Sequence, residues 1–478
     1  MKKTVRTLIL TVLALCVTQA AALAADSVSV QLNGEDIAFT YAEPRIVDGR
    51  TFLPVRAVFE EMGAEVSYDN GVVTARRDGR TVTMTIGSAE AVVSENGETT
   101  PLTMDVAPFI DPALGSTYVP VRFAAEALGS SVGWDADTRT VLILDTDREA
   151  ASLLEGRSFT WMDKLLNYTN KYNNGIWDSG LTMTGTVKVD MSEPENGLTL
   201  ALSVPVSVTA SAVTQDSSKM EGNVVVTADL ASARTLLTEG MEDEGIAQID
   251  AIIAAVAKDG VSCGIRCDLT AGKLYCKPDL SALGEYAALA GVQTDAWYRL
   301  DMSAIYEEQG LSLEELTAAA RDIKTRDLLE MILESSLGAV PLNDTSSYQE
   351  LHGIMSALVD FMSDDSFKRS GDTCVSEWSM EQDGVALKIS VALSLKGDEL
   401  TGYAVDMGAT GSAGETGVFA FDCRMSLDEE DHLGGSVTLN VGTMVDAAFE
   451  MTGSYKQGSA APATEPPAGA EIIDLFDL

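Results

Sequence analysis

Histidine is nearly absent from this 478-residue chain; there are two, which excludes any site built on three imidazoles. Basic residues are also few. Lys and Arg number 32 against 73 Asp and Glu, a net charge of −41. That balance excludes a nucleic-acid binder driven by phosphate contacts and disfavours docking on anionic lipid. Cysteine is sparse, with no Cys-x-x-Cys and no His near any Cys, so zinc spacing is not met. Gly-x-Ser-x-Gly, His-Glu-x-x-His, a phosphate loop and EF-hand spacing are all missing. The expectation is a chain without cofactor, metal or catalysis. A hydrolase working through carboxylates alone is the third reading. Past the N-terminal segment, no run is long and apolar enough to span a bilayer.

What is present begins with an export signal. Lys2, Lys3 and Arg6 precede an apolar run, and Ala22-Leu23-Ala24 gives a small-x-small cleavage site. Residues 1–24 therefore read as a secretory signal peptide. Leu15 before Cys16 is wrong for lipid attachment. Five cysteines follow: Cys263, Cys267, Cys276, Cys374 and Cys423, an odd number. A two-residue hairpin tip at Ala271-Gly272 would set Cys267 directly opposite Cys276. A disulfide there and a pair of buried thiols are both open.

The strongest signal is self-similarity. Thr51-Phe-Leu-Pro54-Val-Arg56-Ala-Val-Phe-Glu60-Glu-Met-Gly63 returns 66 residues later as Thr117-Tyr-Val-Pro120-Val-Arg122-Phe-Ala-Ala-Glu126-Ala-Leu-Gly129. Val66-Ser-Tyr68-Asp69 likewise matches Val132-Gly-Trp134-Asp135. Pro54 and Pro120 suit a first helical turn, and Gly63 and Gly129 suit the left-handed stop beyond its end. Two turns of helix cannot stand alone, so Val58 and Met62, or Ala124 and Leu128, must pack on a sheet. Arg56 and Arg122 are read as structural, each one turn from a carboxylate, Glu60 or Glu126.

This doubled pattern resembles the copper amine oxidase-like N-terminal domain, a module of secreted and surface proteins of Gram-positive bacteria. The matching residues are Gly49, Arg50, Thr51, Pro54, Arg56, Gly63 and Asp69, then Gly115, Thr117, Pro120, Arg122, Gly129, Trp134 and Asp135. Ser116 and Tyr68 stand where the pattern has Arg and Trp. The resemblance covers residues 28–147 and does not bring catalysis with it, since in the oxidases this module is remote from copper. Their site needs three His and a Tyr in Asn-Tyr-Asp/Glu, whereas Asn167-Tyr168 is followed here by Thr169. Amine oxidation and copper are rejected.

Residues 148–456 read as one larger domain. A helical stretch from Arg148 to Asn174 gives way to long alternating runs, among them Leu181 to Val189, Leu200 to Val208, Val385 to Leu395 and Phe419 to Met425. Pro205 marks an edge or a bulge. Helices interrupt the runs within 231–258, from a capping box at Ser312-Leu-Glu-Glu315, and over 347–362. Strict alternation implies an antiparallel sheet. The fold class is α+β: a small duplicated module, then a large antiparallel curved sheet with helices on one side. Gly272-Lys-Leu-Tyr275-Cys-Lys277 and Trp297-Tyr-Arg-Leu-Asp301 weakly resemble the lipoprotein-carrier half-barrels, which implies an apolar cavity where an ordinary filled core is the alternative. Residues 457–470 read as a flexible linker. The acidic-apolar peptide from Glu471 to Leu478 is either a docking peptide or a frayed end.

The expected role is that of a secreted, non-catalytic protein, extracellular or wall-associated, that binds or scaffolds surface components. The alternative is a carrier of a lipid or other apolar molecule. Neither nucleic acid nor an integral membrane segment is expected.

Overall fold

The structure is a computed structural model and describes residues 28–95, 97–193, 198–290, 293–303, 323–382, 384–412 and 417–477. The expected signal peptide, residues 1–24, and the expected Ser312 capping box lie outside them. The chain forms two compact units. One holds the residues up to Gly156 together with Leu328–Val359, and the other holds Arg157–Asp327 and Asp360–Leu478. The boundary expected at 147/148 thus falls later, and the second region is not contiguous.

The first unit begins β1 (Ser29–Leu32), β2 (Glu35–Asp36), β3 (Arg45–Val47), β4 (Arg50–Pro54), α1 (Val55–Glu61), β5 (Glu65–Asp69), β6 (Val72–Arg77), β7 (Arg80–Thr85), β8 (Glu90–Glu95) and β9 (Glu98–Thr103). It continues β10 (Phe109–Ile110), β11 (Thr117–Pro120), α2 (Val121–Glu126), β12 (Ser131–Asp135), β13 (Thr140–Leu144) and α3 (Thr146–Leu154). Three sheets result, ordered β12-β13-β1-β2, β10-β11-β4-β3 and β5-β6-β7-β8-β9.

Both expected short helices form, with Pro54 and Pro120 as extended N-caps, one position earlier than a first-turn proline. Each ends in the same motif. Gly63 N–H donates to Glu60 O and Ala64 N–H to Phe59 O; Gly129 and Ser130 do the same to Glu126 and Ala125. Gly63 and Gly129 take φ +80° and +88°, where a Cβ is strained. Val58, Phe59, Met62, Val119 and Leu128 join one core with Val73, Val82, Val141 and Ile143. Burying each such side chain contributes about 1.5–3 kcal/mol, which is what holds helices this short.

The β4–β11 pairing has a local two-fold. Leu53 pairs with Val119, Phe52 with Pro120 and Pro54 with Tyr118. Each residue therefore faces the counterpart of its own mirror position.

The second unit holds α4 (Thr160–Asn170), β14 (Ile176–Glu193), β15 (Leu198–Gln215), β16 (Lys219–Ala228), α5 (Arg234–Thr238), α6 (Asp243–Lys258), β17 (Val261–Asp268), β18 (Lys273–Asp279) and β19 (Trp297–Asp301). Then come β20 (Lys368–Ser370), β21 (Thr373–Gln382), β22 (Val385–Lys396), β23 (Glu399–Ser412), β24 (Val418–Leu427), β25 (His432–Val441), β26 (Val445–Gln457) and β27 (Ile472–Asp474). They make one fourteen-stranded sheet, β20-β21-β22-β23-β24-β25-β26-β14-β15-β16-β17-β18-β19-β27, antiparallel except for β19–β27.

One register row runs Trp378, Ile389, Met407, Cys423, Val437, Phe449, Gly185, Val206, Ala228. The neighbouring row is Ser379, Lys388, Gly408, Asp422, Thr438, Ala448, Thr186. The sheet is thus apolar on one face and polar on the other. Leu165 of α4 packs on the apolar face with Val391, Leu393 and Leu395. Pro205 sits in a central strand, but β16 stops opposite Val206, so the absent N–H breaks no ladder bond with β16.

Two expectations change here. The β17–β18 loop has four residues, 269–272, because Asp268 Oδ1 accepts from Thr270 N, Thr270 Oγ1 and Ala271 N. Cys267 therefore faces Leu274 and Cys276 faces Ile265, and neither thiol is in a disulfide. The tail is also tied down. Arg266 Nη1 donates to Glu465 O at 2.5 Å, Ala463 N to Glu221 Oε2 at 3.0 Å, and Arg299 Nη2 meets Asp474 Oδ2 at 2.5 Å. The terminal peptide docks in its own chain as β27.

Two further helices are α7 (Thr325–Gly338) and α8 (Thr345–Met362), most of which belong to the first unit. Gly133 of β12 admits the chain before α8. A Cβ there would lie 1.5 Å from Leu342 O. Asp135 Oδ2 then accepts from Thr345 N at 3.2 Å and Thr345 Oγ1 at 2.6 Å, capping α8.

Candidate binding grooves of the N-terminal domain

The hallmark residues collect around two grooves that are counterparts of each other. Groove A, of about 750 Å³, sets Pro54, Arg56, Glu60 and Glu61 of α1 and Tyr68 of β5 against Ile110, Gly115, Ser116 and Thr117. Groove B, of about 960 Å³, sets Pro120, Arg122 and Glu126 of α2 and Trp134 of β12 against Ile46, Gly49, Arg50 and Thr51. Each groove takes its helix and its aromatic-bearing strand from one matched segment and its facing wall from the other, as the Leu53–Val119 two-fold requires. Each exposes an aromatic ring, Tyr68 at 51% and Trp134 at 38%, and an aliphatic residue, Ile110 or Ile46.

The helix-borne ion pairs form as expected, Arg56–Glu60 at 3.7 Å and Arg122–Glu126 at 3.9 Å, all four side chains exposed. Gly63 and Gly129 end the helices outside the grooves. Asp69 lies exposed before the Asn70-Gly71 turn, whereas Asp135 is buried. Its bonds from Thr345 and Thr138 hold the Asp135 carboxyl well below the usual range.

A third cleft, of about 450 Å³, was not legible in the sequence. It is lined by Asn33, Gly34 and Glu35 of the β1–β2 turn, Arg148, Glu149 and Ser152 of α3, and Tyr348 and His352 of α8. His352 Nε2 lies 2.9 Å from the buried Glu149 Oε1. Burial pushes the Glu149 carboxyl up, opposed by His352 and Tyr348, while Glu35 adds to the rise. Asn33-Gly34 is a tight turn with φ +51° and +80°, and a Cβ on Gly34 would meet the Tyr348 ring at 2.6 Å. Glu149 and His352 are 203 residues apart in sequence, and no motif links them. His352 is 40% exposed and links α8 to α3 through Glu149. His432 opens β25, exposed, 3.3 Å from Asp428 Oδ2. Among the described residues no three His, Cys, Asp or Glu side chains are grouped to hold a metal. No described helix is long and apolar enough to cross a membrane.

Residues 31–143 match the copper amine oxidase N-terminal domain family. That domain is the N-terminal part of those oxidases and does not itself carry catalysis. No curated protein matches the chain. Among solved structures, a triple mutant of the Rhodopseudomonas blastica porin aligns at 9% identity over 59% of this chain and 100% of its own, with a TM-score of 0.12. A structure titled "Asymmetric conductivity of engineered proteins" aligns at 10% identity over the same shares, with a TM-score of 0.11. Scores this low establish no shared fold.

Proposed function

We propose that the chain is exported and acts outside the cell as a non-catalytic binding protein, with its N-terminal domain as the gripping part. In this reading the two matched segments are copies of one unit, and the protein works at the cell surface or wall. The paired grooves carry the proposal: a unit that builds the same aromatic-floored groove twice is suited to a polymer that repeats. The test is co-sedimentation of the mature chain, from Ala25 onward, with insoluble wall preparations. Retention that drops in Tyr68→Ala and Trp134→Ala supports the reading; protein left wholly in the supernatant defeats it.

A second reading, transport of an apolar molecule, is favoured by one observation. Met407, Met425 and Leu439 are 37%, 40% and 37% exposed on the apolar face of the large sheet, flanking Cys423 and Phe421. Met-rich surfaces adapt to varied apolar partners. Native mass spectrometry of gently purified protein checks this: a retained lipid supports it, and a bare mass across preparations removes it.

A further inference from the structure

The two grooves differ in charge. Groove B is lined by three guanidinium groups, Arg50, Arg80 and Arg122, and two carboxylates, Asp105 and Glu126. Groove A is lined by Arg56 against Glu60 and Glu61. Groove B is thus positive by one charge in a chain of net −41, and its counterpart is negative by one. Of the guanidinium groups without a close partner, Arg122 is 77% exposed and Arg80 29%. Arg50 is held by Asp105 at 2.5 Å, but Arg80 and Arg122 meet Glu95 and Glu126 only at 3.9 Å. A guanidinium so loosely matched keeps its fork for an incoming acid group. Beside it stands the half-exposed indole of Trp134, an apolar plate with a polar edge.

We infer that groove B binds an acidic sugar within a glycan chain, one acid group to each occupant. The flat C–H face of the ring stacks on Trp134, the acid group is taken by Arg80 and Arg122, and ring hydroxyls meet Asp105, Thr51 and Thr103. The overall charge sharpens the selection. A dense polyanion is repelled by the whole molecule, while a polymer carrying sparse acid groups meets one matching positive site. The inference rests on the binding role proposed above and names its ligand.

Isothermal titration calorimetry on the mature chain tests it with four probes: a hyaluronan hexasaccharide, a neutral β-1,4-glucan hexasaccharide, a phosphodiester-linked wall glycan and an acidic peptide. The acidic glycans bind, and the neutral one binds roughly tenfold more weakly or not at all, a difference of about 1.4 kcal/mol. Binding of the hyaluronan or of the phosphodiester polymer identifies the acid as carboxylate or phosphate. Trp134→Ala and Arg122→Glu each weaken binding by roughly tenfold or more. Arg122 is 77% exposed and makes only a long pair with Glu126, so its variant keeps the fold, and Leu236→Ser on α5 leaves the affinity unchanged. Equal affinity for neutral and acidic sugars, binding of the peptide alone, or indifference to both groove B variants overturns the assignment. Wall retention that survives Trp134→Ala but is lost in Tyr68→Ala leaves the binding role standing and removes groove B as the ligand site.

Discussion

The two matched segments of the N-terminal domain agree where the fold is built and differ where something else is received. Pro54 and Pro120 start their helices, Gly63 and Gly129 stop them with the same pair of backbone bonds, and Leu53 and Val119 meet across the two-fold. The strand after each helix breaks the likeness. The first segment has Ser67 and an exposed Asp69; the second has Gly133, which admits Leu342, and an Asp135 buried under Thr345, and together these make the seat for α8. Arg50 against Ser116 separates the grooves by charge in the same way. Two segments that match in their packing residues can therefore carry different surfaces.

Exchanging the residues of β5 and β12, the strands after the two short helices, should break this comparison most strongly. Gly133→Ser places a Cβ where Leu342 O already sits, so the chain before α8 must shift; a loss of about 2–3 kcal/mol is expected in chemical denaturation. The converse, Ser67→Gly, should cost only about 0.5–1 kcal/mol, the usual cost of glycine in a strand. Equal effects from the two would show that β12 is not a special seat. Asp135→Asn should lower the midpoint by less than Gly133→Ser, and Asp69→Asn should leave it unchanged. The pH dependence has a definite sign. The native Asp135 carboxyl titrates below its unfolded value, so its stabilisation is present above about pH 4 and is lost as pH falls through the lower native value. The gap between wild type and Asp135→Asn should be full at pH 7 and should close only in strong acid.

These contrasts also show how far sequence reading reaches. Local signals were faithful: proline, glycine and the 66-residue spacing placed α1, α2 and their caps, and alternation placed β22 and β24. What failed was set by atoms distant in sequence or by loop chemistry. The β17–β18 register turned on one carboxylate, Asp268, bonding its own loop, which moved Cys276 from Cys267 to Ile265. The tail from 457 has the composition of a linker, yet Arg266, Glu221 and Arg299 hold it. The Glu149–His352 cleft needs α8 to return to the first unit, which no local period announces. The grooves were half legible: Arg56, Arg122 and Trp134 stood in the motif, while Arg80 and Asp105 came from strands and turns outside it.

The α3–α8 contact should respond to pH in the opposite sense from Asp135. Burial raises the native Glu149 pKa, so its carboxyl favours the fold when protonated and costs stability as pH rises through the native value. His352 offsets that cost. His352→Ala should therefore lower stability by about 1–2 kcal/mol at pH 7 and by less at pH 4, where more of Glu149 is protonated. A loss of the same size at both pH values would show that His352 acts through packing alone.

The smallest effects should come from the two arginines that look most like a site. Arg56 and Arg122 reach Glu60 and Glu126 at 3.7 and 3.9 Å from side chains that are 68% and 77% exposed. Exposed pairs at this spacing contribute about 0.5 kcal/mol or less. The helices that carry them are held instead by Val58, Phe59, Met62 and Leu128 and by their glycine stops. Arg56→Ala and Arg122→Ala should then unfold within about 0.5 kcal/mol of wild type and of each other. Because stability does not distinguish them, any contrast must appear in ligand binding, where Arg122 faces the net-positive groove and Arg56 the net-negative one. A stability loss above about 1 kcal/mol from either change would instead make that arginine part of the frame, and the charge difference between the grooves would lose its functional meaning.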